Sequence, residues 1–355
     1  MVRDAAWSGA TRAFADAAEL LAARGYETCF VVPAESEAAR CLASAGHDVI
    51  GVQGGGGWLR AGWRLRRVVA SRLSEVLFVH DDREHLTAAA AVRLAGRGAV
   101  VRRTQSAERL TLGRDGRMAM RFAATGFVFA HAEDARGMAP PQGALAAQVA
   151  PPGVAIATPR PPAAVGAIGG TVAQRLVVIV GADRRREALV ALRALSLLAP
   201  RLPALRATVF WPVVDIDTVR LEAAALGVAD RIAWRATGAP RSDVLAEADL
   251  AWVIAAADDA VFAMLDALAH GVPVLAERSP VTSRVIEDGV TGMLRHRAAE
   301  AAWASVVAAG RAHPERLEQM RGEARRAAAR WPFDAGADGW VQVTEAARDR
   351  SRWTP

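Results

Sequence analysis

Two aspartates eight positions apart carry the strongest chemical signal in the sequence. Asp258 stands at the start of a predicted helix and Asp266 in its body, before Gly271 ends the helix. Eight helical residues span about 12 Å and leave the two carboxylates within about 80° of each other around the axis. This arrangement suits a long polar ligand lying across a helix N-terminus, such as a sugar joined to a nucleotide. The alternative interpretation is an ordinary helix with an aspartate near its N-cap.

The composition predicts a soluble chain with more than one domain. Its 355 residues are 52% hydrophobic and 23% charged, which supports large cores behind a charged surface. The sequence has no long apolar run and no charged-then-apolar pattern at its start, so neither a transmembrane helix nor a signal peptide is predicted. We therefore expect a cytoplasmic protein, with peripheral binding at the inner membrane as the alternative location.

Charge and cysteine usage narrow the classes of function. All 44 basic residues are arginine, against 38 acidic residues, for a net charge of +6. The lack of lysine and asparagine indicates a high-GC coding bias, so that an arginine can stand where related proteins use lysine. No combination of aromatic and basic residues predicts nucleic-acid binding. Cys29 and Cys41 lack the spacing of metal ligands and are interpreted as reduced packing residues.

Apolar strands alternate with helices along two halves of the sequence, as βαβ units do in a parallel sheet. Residues 151–170 are rich in Pro, Gly and Ala and have no periodicity, which is typical of a linker. The predicted fold class is α/β, with two Rossmann-like, doubly wound parallel-sheet domains that face each other across a cleft. The predicted boundaries are 1–155, a linker at 156–171, 172–332, and a final helix at 333–355 that packs back on the first domain.

The amino end is short for a domain of this class. Six residues precede Trp7, whereas a doubly wound domain opens with a central strand before its first turn and helix. We predict that few or no residues before Trp7 form a central strand. Either a misplaced start or a trimmed amino end removes the first strand, or the amino-terminal domain lacks it.

Several motifs resemble those of retaining glycosyltransferases with the GT-B fold, the family 4-like group also called glycosyl transferases group 1. The stretches that carry the resemblance are Ala23–Glu27, Leu226–Ile232, Gly271–Val274 and, most specifically, Ile286-Glu-Asp-Gly-Val-Thr-Gly292. In place of the Glu-x7-Glu motif of that family, this chain has Asp258 and Asp266. The resemblance implies transfer of a sugar from a nucleotide-sugar donor to an unknown acceptor, with retention, by a protein that needs no metal or cofactor.

The resemblance also implies roles for individual residues. Asp266 would bind the ribose hydroxyls, while Asp258 and Asp259 would hold the sugar. The phosphate clamp of the family corresponds to Arg184, Arg185 and Arg186, although a charge run at a helix start is as often simply solvated. Gly9 lies where a glycine turn lets a loop approach the diphosphate. The implied catalytic residues are His80, Gln105 and Asp258.

The residues that differ from the family pattern stand at positions where the family has active-site residues. Ala182 and Glu187 stand at the clamp positions, Trp211 replaces a glycine turn, and Gln105 replaces a histidine. Glutamine can hydrogen-bond a sugar hydroxyl but cannot take up a proton. A catalytically inactive GT-B scaffold that binds a partner is therefore the alternative hypothesis, and a sugar epimerase of the same fold is a third. A cleft filled by Phe210 or Trp211 would favour the scaffold.

A basic amphipathic helix is predicted over residues 58–73, from Trp58 to Leu73. Trp58, Leu65, Val69 and Leu73 share one face, and arginines cluster opposite. Such a helix can lie on an anionic membrane surface. The family resemblance implies a lipid-linked or polysaccharide acceptor, and hence a role in cell-envelope or polysaccharide biosynthesis. The alternative is a domain helix whose apolar face packs on the sheet.

Overall fold

A computed structural model describes residues 6–53, 57–108, 110–136, 141–157, 175–181, 184–212, 216–296 and 300–351. The chain divides into two compact units. Unit 1 comprises Met1–Gly153 together with Phe333–Pro355, and unit 2 comprises Val154–Pro332. The predicted linker at 156–171 and the segment before Ala6 lie largely or wholly outside the described residues.

Unit 1 contains two separate parallel sheets. The smaller one pairs β1 (Phe30–Pro33) with β2 (Val49–Val52). The larger one has the order β3-β4-β5-β6, with bounds Val76–Val79, Ala99–Arg103, Thr125–Phe129 and Ala147–Val149. All pairings in both sheets are parallel. Among the residues that the structure describes, no strand joins β1 to β3.

Helices cover both faces of these sheets. One core joins α1, α2 and α14 to one face, and includes Phe14, Val32 and Trp340. The other joins α3, α4 and α5 to the opposite face, and includes Leu65 and Val79. The helices of unit 1 are α1 (Gly9–Ala22), α2 (Glu37–Ser44), α3 (Trp58–Ser71), α4 (Asp82–Ala95), α5 (Arg114–Phe122), α6 (Ala132–Arg136) and α14 (Ala337–Ser351).

Unit 2 is built on one six-stranded parallel sheet. Its order is β12-β11-β10-β7-β8-β9. The strands are β7 (Arg175–Val180), β8 (Arg206–Trp211), β9 (Ile232–Ala236), β10 (Leu250–Ile254), β11 (Val274–Glu277) and β12 (Gly292–Arg295). Strands β7 and β10 are neighbours although their first residues are 75 positions apart, so the strand order reverses between them.

Two helix layers enclose that sheet. Helices α7 (Arg185–Leu198), α8 (Ile216–Ala225) and α12 (Glu300–Ala312) share one core with alternate strand residues such as Val178. Helices α9 (Ser242–Leu245), α10 (Ala257–Ala269), α11 (Thr282–Val285) and α13 (Pro314–Ala328) share the other, with Val177 and Phe210. The alternation of Val177 and Val178 between layers is the two-residue period of a strand buried on both faces.

Helix α3 uses its apolar face inside unit 1. Leu65 and Val69 are buried against β3 and α4, while Leu59 and Trp63 are 60% and 47% exposed. Leu73 does not belong to the buried face, contrary to the sequence prediction, because the helix ends at Ser71 and Leu73 is 63% exposed with a φ of 52°. Among the described helices, none has the length and apolarity needed to cross a membrane.

Candidate functional site

A pocket of about 270 Å³ opens at the carboxyl ends of β10 and β11 in unit 2. Trp252–Ala257 form one wall, and Ser279 and Thr282 lie on another. Arg184 and Glu187, at the start of α7, line the side that follows β7. The pocket therefore lies where the strand order reverses, with α7 on one face of the sheet and α10 on the other. Ligands of doubly wound sheets bind at this topological position.

Two helix N-termini meet the pocket. Ala257 is the first residue of α10, and its N-cap Ala256 makes no side-chain capping bond. Arg184 is the N-cap of α7 and makes no capping bond through its side chain either. The amide N–H groups of a first turn favour an anion, particularly where no side chain already accepts from them. The backbone enters α10 through Ala257 at a φ of 44°, a left-handed conformation that is uncommon for alanine.

The pocket is lined by both a positive and a negative side chain. Nη1 of Arg184 lies 3.4 Å from Oε1 of Glu187, one turn along α7. Both side chains are partly buried and both line the pocket. A bound phosphate would compete with the Glu187 carboxylate for the Arg184 guanidinium. Arg185 and Arg186 occupy the first turn of α7, and their side chains lie outside the described part of the molecule.

The three predicted aspartates lie on α10 but do not line this pocket. Asp258 is 1% exposed and Asp259 is half-buried, both in the first turn. Asp266 accepts a hydrogen bond from Nη1 of Arg241 at 3.1 Å, with both side chains mostly buried. The Arg241 guanidinium also stacks over the Phe210 ring, with 5.7 Å from Cζ to the ring centroid. Asp266 thus belongs to a charged pair on the layer that contains α9 and α10.

Unit 1 holds the predicted histidine in a buried cluster. His80 follows β3 and is 5% exposed, and its Nδ1 lies 2.8 Å from Oε2 of Glu84. The same oxygen accepts from the His80 backbone N–H at 3.1 Å. Burial alone would raise the pKa of Glu84, but the hydrogen bonds and charge of His80 outweigh it and hold that pKa below its ordinary value. His80 is therefore a fixed polar group paired with a carboxylate.

The carboxyl ends of β3 and β4 carry further polar side chains. Arg102, buried in β4, pairs with Asp82 and with Glu108, whose Oε1 lies 3.4 Å from Nη2 of Arg102. Gln105 is half-buried, and its backbone N–H donates to Oε2 of Glu108 at 2.8 Å. This edge of unit 1 therefore brings together carboxylates and an arginine that can hydrogen-bond hydroxyl groups.

His85 and Gly9 lie elsewhere in unit 1. The Nε2 atom of His85 is 3.0 Å from Thr125 Oγ1, and burial followed by the charge of Arg102 lowers the pKa of His85 to about 3. Gly9 is the buried first residue of α1, and the Ser8 side chain caps that helix by accepting from the Thr11 N–H. The Thr11 N–H at this helix start therefore already has the Ser8 hydroxyl as an acceptor.

One group of candidate metal ligands occurs among the described residues. His80, Asp81 and Glu84 each have a ligand atom within 4.8 Å of the others. Asp81 accepts from the Glu84 backbone N–H at 2.6 Å, as the N-cap of α4. The arrangement is therefore explained by helix capping and by the His80–Glu84 pair without an ion.

Sequence reasoning missed several residues of the site. Ser279 and Thr282 hydrogen-bond each other at the entry of α11 and line the pocket. Trp252 and Trp303 stack with ring centroids 5.2 Å apart and form its apolar side. Arg241, the partner of Asp266, was also missed. A Ser-x-x-Thr sequence is a capping signal, but the tryptophan pair and the Arg241 contact join distant parts of the sequence.

Comparison with solved structures identifies the architecture. The Anabaena protein HepE, solved with UDP-glucose, superposes with a TM-score of 0.72 at 14% identity, over 97% of this chain and 98% of HepE. The chain has the GT-B fold. Sucrose-phosphate synthase from Thermosynechococcus elongatus matches with a TM-score of 0.68 at 14% identity, over 95% and 92% of the two chains. A glycosyltransferase from Rickettsia africae matches with a TM-score of 0.67 at 9% identity, over 97% of this chain and 96% of the other.

No protein-family profile and no curated protein matches the sequence. The predicted fold class, two Rossmann-like α/β domains, is confirmed.

Proposed function

We propose that this protein is a glycosyltransferase that moves a sugar from a nucleotide-sugar donor to an acceptor with retention of configuration. The pocket at the strand-order reversal of unit 2 supports the proposal, because two helix N-termini and Arg184 surround it. A nucleotide diphosphate needs such a cluster of N–H groups and a guanidinium. The GT-B neighbours solved with UDP or UDP-glucose support the same class of ligand.

The roles proposed for individual residues follow from charge and position. Arg184, Arg185 and Arg186 would neutralise the leaving diphosphate, the principal electrostatic task of this reaction. Asp258, Asp259 and the first-turn N–H groups of α10 would hold the sugar. Asp266 would accept hydrogen bonds from the ribose hydroxyls through its carboxylate.

Unit 1 would provide the acceptor side of the reaction. His80 and Gln105, at the carboxyl ends of β3 and β4, are the catalytic candidates there. The proposed acceptor is a lipid-linked sugar or a growing polysaccharide. No nucleic-acid, metal or cofactor partner belongs to the proposal.

Calorimetric titration with UDP-, GDP- and ADP-sugars tests the donor site. Arg184→Ala should weaken binding of the preferred donor by about 10- to 100-fold, the usual loss for one charged hydrogen bond. Asp266→Asn should weaken it less, because an amide oxygen can still accept from a hydroxyl. Arg193→Ala is the matched control, since Arg193 lies on the same helix and its side chain is 52% exposed beside Glu300. If no nucleotide sugar binds, or if the Arg193 variant loses as much affinity as the Arg184 variant, the proposed donor site is wrong.

A catalytically inactive GT-B scaffold is the second candidate function. The Glu187 carboxylate favours it, because it lies in the pocket beside Arg184 and opposes the charge of a diphosphate. On this hypothesis Glu187→Lys should increase nucleotide affinity, and the wild-type protein should bind donors without transferring the sugar. Transfer to any acceptor, followed by NMR of the anomeric proton in the product, would contradict the scaffold and would also test retention.

Helix α3 would place unit 1 on an anionic membrane. Leu59, Trp63 and exposed arginines share its outer surface, and the Arg66 and Arg67 guanidinium groups contact the Trp63 ring. Each arginine near such a surface contributes about 1 kcal/mol at low salt. Co-sedimentation with phosphatidylglycerol vesicles should fall in a Leu59→Ser/Trp63→Ser variant and remain in Leu221→Ser, since Leu221 is an exposed leucine of unit 2. Equal sedimentation of all three proteins would contradict the membrane role.

A further inference from the structure

The net charge of the chain is concentrated on two helices of unit 1. Helices α3 and α5 together contain seven arginines and one aspartate, which gives them a net charge of +6. This equals the net charge of the whole chain, so the charged residues outside these two helices balance. Both helices pack in the same core, where the Trp58 and Phe122 rings lie with centroids 6.1 Å apart. The outer surface of α3 and α5 is therefore strongly basic.

Helix α5 presents its arginines along one face. Arg114, Arg117 and Arg121 are exposed, whereas small residues of the helix are buried. Spacings of three and four residues place the three arginines within about 60° around the helix axis and about 10 Å along it. Arg117 donates from Nη1 to Leu112 O at 2.7 Å, which fixes the position of its guanidinium. These three residues, called the arginine row below, can each bind a carboxylate through two parallel hydrogen bonds.

The first turn of α5 is anchored to the rest of unit 1. The Gly113 N–H donates to Oδ2 of Asp82 at 2.7 Å, and Asp82 in turn pairs with Arg102 of β4. A Cβ at Gly116 would lie 2.5 Å from Oδ1 of Asp82, so the helix packs tightly against this carboxylate. The arginine row is therefore carried by a fixed helix, and little backbone order has to be created when a ligand binds.

The arginine row begins at the edge of unit 1 that carries the candidate catalytic residues. Helix α5 connects the carboxyl end of β4 with the amino end of β5, and its start is bonded to Asp82, two residues after His80. Arg114 therefore lies near the carboxyl edge of the sheet, and Arg121 lies further from it. The carboxylates of Asp82 and Glu108 at this edge can accept hydrogen bonds from hydroxyl groups. A chain-like ligand that ends at the edge can contact the whole row.

The side chains of α5 select among anionic partners. This helix, which is described throughout, exposes no large apolar side chain, in contrast with Leu59 and Trp63 of α3, so it lacks an anchor for a membrane. Its single aromatic residue, Phe122, is half-buried beside Trp58, so α5 offers no ring on which a nucleic-acid base can stack. A row of arginines next to carboxylates that accept from hydroxyls fits a hydrated chain that carries both fixed anions and hydroxyl groups.

We propose that the arginine row binds a glycan built from uronic acids, whose carboxylates contact the three guanidinium groups and whose end lies at the carboxyl edge of β3 and β4. This inference rests on the proposed function, because the glycan would be the acceptor of the transferred sugar. The arginine row lies in unit 1 and the donor pocket lies in unit 2. Glycan binding can therefore be measured without donor and without the transfer reaction.

Titration of the full-length protein with oligogalacturonate at low and at physiological salt tests the arginine row. The wild-type protein should bind this oligomer of galacturonic acid. The triple variant Arg114→Ser/Arg117→Ser/Arg121→Ser should bind it about tenfold more weakly at low salt, because three exposed ion pairs are lost. The affinity of this variant should also depend less steeply on salt, because fewer counterions are released when it binds.

The matched control removes the same charge from unit 2. Arg193, Arg220 and Arg326 have side chains that are 52%, 52% and 70% exposed. Their replacement by serine in one triple variant lowers the net charge by the same amount and should leave oligogalacturonate binding at the wild-type level. Circular dichroism of both triple variants should match that of the wild type, since only exposed side chains are changed.

Each other outcome overturns the proposal. If oligogalacturonate does not bind, or if both triple variants lose the same affinity, the arginine row is not a glycan site. If neutral dextran binds as tightly, the guanidinium groups do not select the ligand, and if oligo-dT binds as tightly, the surface recognises any polyanion. If the α5 variant loses binding to phosphatidylglycerol vesicles but keeps oligogalacturonate, the row belongs to a membrane surface.

Nucleotide-sugar titration of the same proteins reports separately on the proposed function. A wild-type protein that binds oligogalacturonate through the arginine row but binds no nucleotide sugar would refute the donor site and leave the glycan site standing. A protein that binds a nucleotide sugar but no oligogalacturonate would give the opposite result.

Discussion

Protonation of His85 should control the acid stability of unit 1. This side chain is fully buried in α4, and its Nδ1 has no hydrogen-bond partner in the described part of the protein. Burial, reinforced by the positive charge of Arg102, lowers the pKa of His85 to about 3, against 6.5 for the unperturbed side chain. The folded protein therefore keeps His85 neutral at a pH where the unfolded chain is protonated.

The direction and size of the effect follow from linkage. Because the folded pKa lies below the unfolded pKa, the unfolded chain binds more protons, and the free energy of unfolding falls as pH drops through 6.5 towards 3. At about 1.4 kcal/mol per pH unit well below 6.5, the loss between pH 7 and pH 5 is about 2 kcal/mol. Glu84, whose pKa is lowered, contributes its own loss mainly below its unfolded value of 4.5, outside this window.

Urea unfolding at pH 7 and pH 5, followed by amide exchange within α4 and β4, measures this difference. In His85→Gln the pH-dependent loss should shrink by about 2 kcal/mol, although the variant itself is expected to be less stable at pH 7. His313→Gln is the control, because the His313 side chain is 63% exposed and should leave the difference unchanged. Equal pH dependence in wild type and His85→Gln would refute the reasoning.

Two further predictions concern unit 2. A Cβ at Gly292 would lie 2.2 Å from Val274 O on the neighbouring strand, so Gly292→Ala should reduce the free energy of unfolding by about 3 kcal/mol. A Cβ at Gly322 would have its nearest contact 3.9 Å away, at the flexible Arg326 side chain. Gly322→Ala should therefore be neutral or stabilising when both variants are unfolded in urea. Asp288 accepts from the Leu294 N–H and pairs with arginines, which outweighs burial and lowers its pKa. Asp288→Asn should therefore destabilise unit 2 at pH 7 and cost progressively less as the pH falls below 3.8, the unperturbed value, and an effect that does not change with pH would contradict this.

Local patterns in the sequence predicted much of the fold. Apolar or amphipathic runs bounded by turn residues predict strands at 99–103, 206–211 and 250–254 and a helix at 185–198. These bounds agree with β4, β8, β10 and α7. The sequence pattern predicts a helix from Leu86, whereas α4 begins one turn earlier, at Asp82, because Asp81 caps it. Helix α5 was not predicted. Its nine residues include three arginines and few apolar residues, so its helical period is weak in the sequence.

The sequence predicted less of the candidate site than of the fold. Helical spacing correctly placed Asp258 and Asp266 on one helix, since that relation is local. The pairing of Asp266 with Arg241 joins residues 25 positions apart and depends on the packing of α9 against α10. Likewise, the His80–Glu84 bond lies at helical spacing, but its burial follows from long-range packing around β3. Sequence patterns identify such groups individually and do not reveal which of them neutralise each other.

The return of α14 to unit 1 has a consequence for synthesis. Trp340 of α14 packs against Phe14 and Phe78, with ring centroids 6.2 Å and 5.5 Å apart. Unit 2 is continuous in the chain, whereas unit 1 requires its last helix before this aromatic cluster can close. During translation the amino-terminal part of unit 1 therefore cannot complete its core, and keeps an apolar surface exposed, until the ribosome has synthesised all of unit 2. This order gives chaperones a defined interval in which to bind the nascent protein.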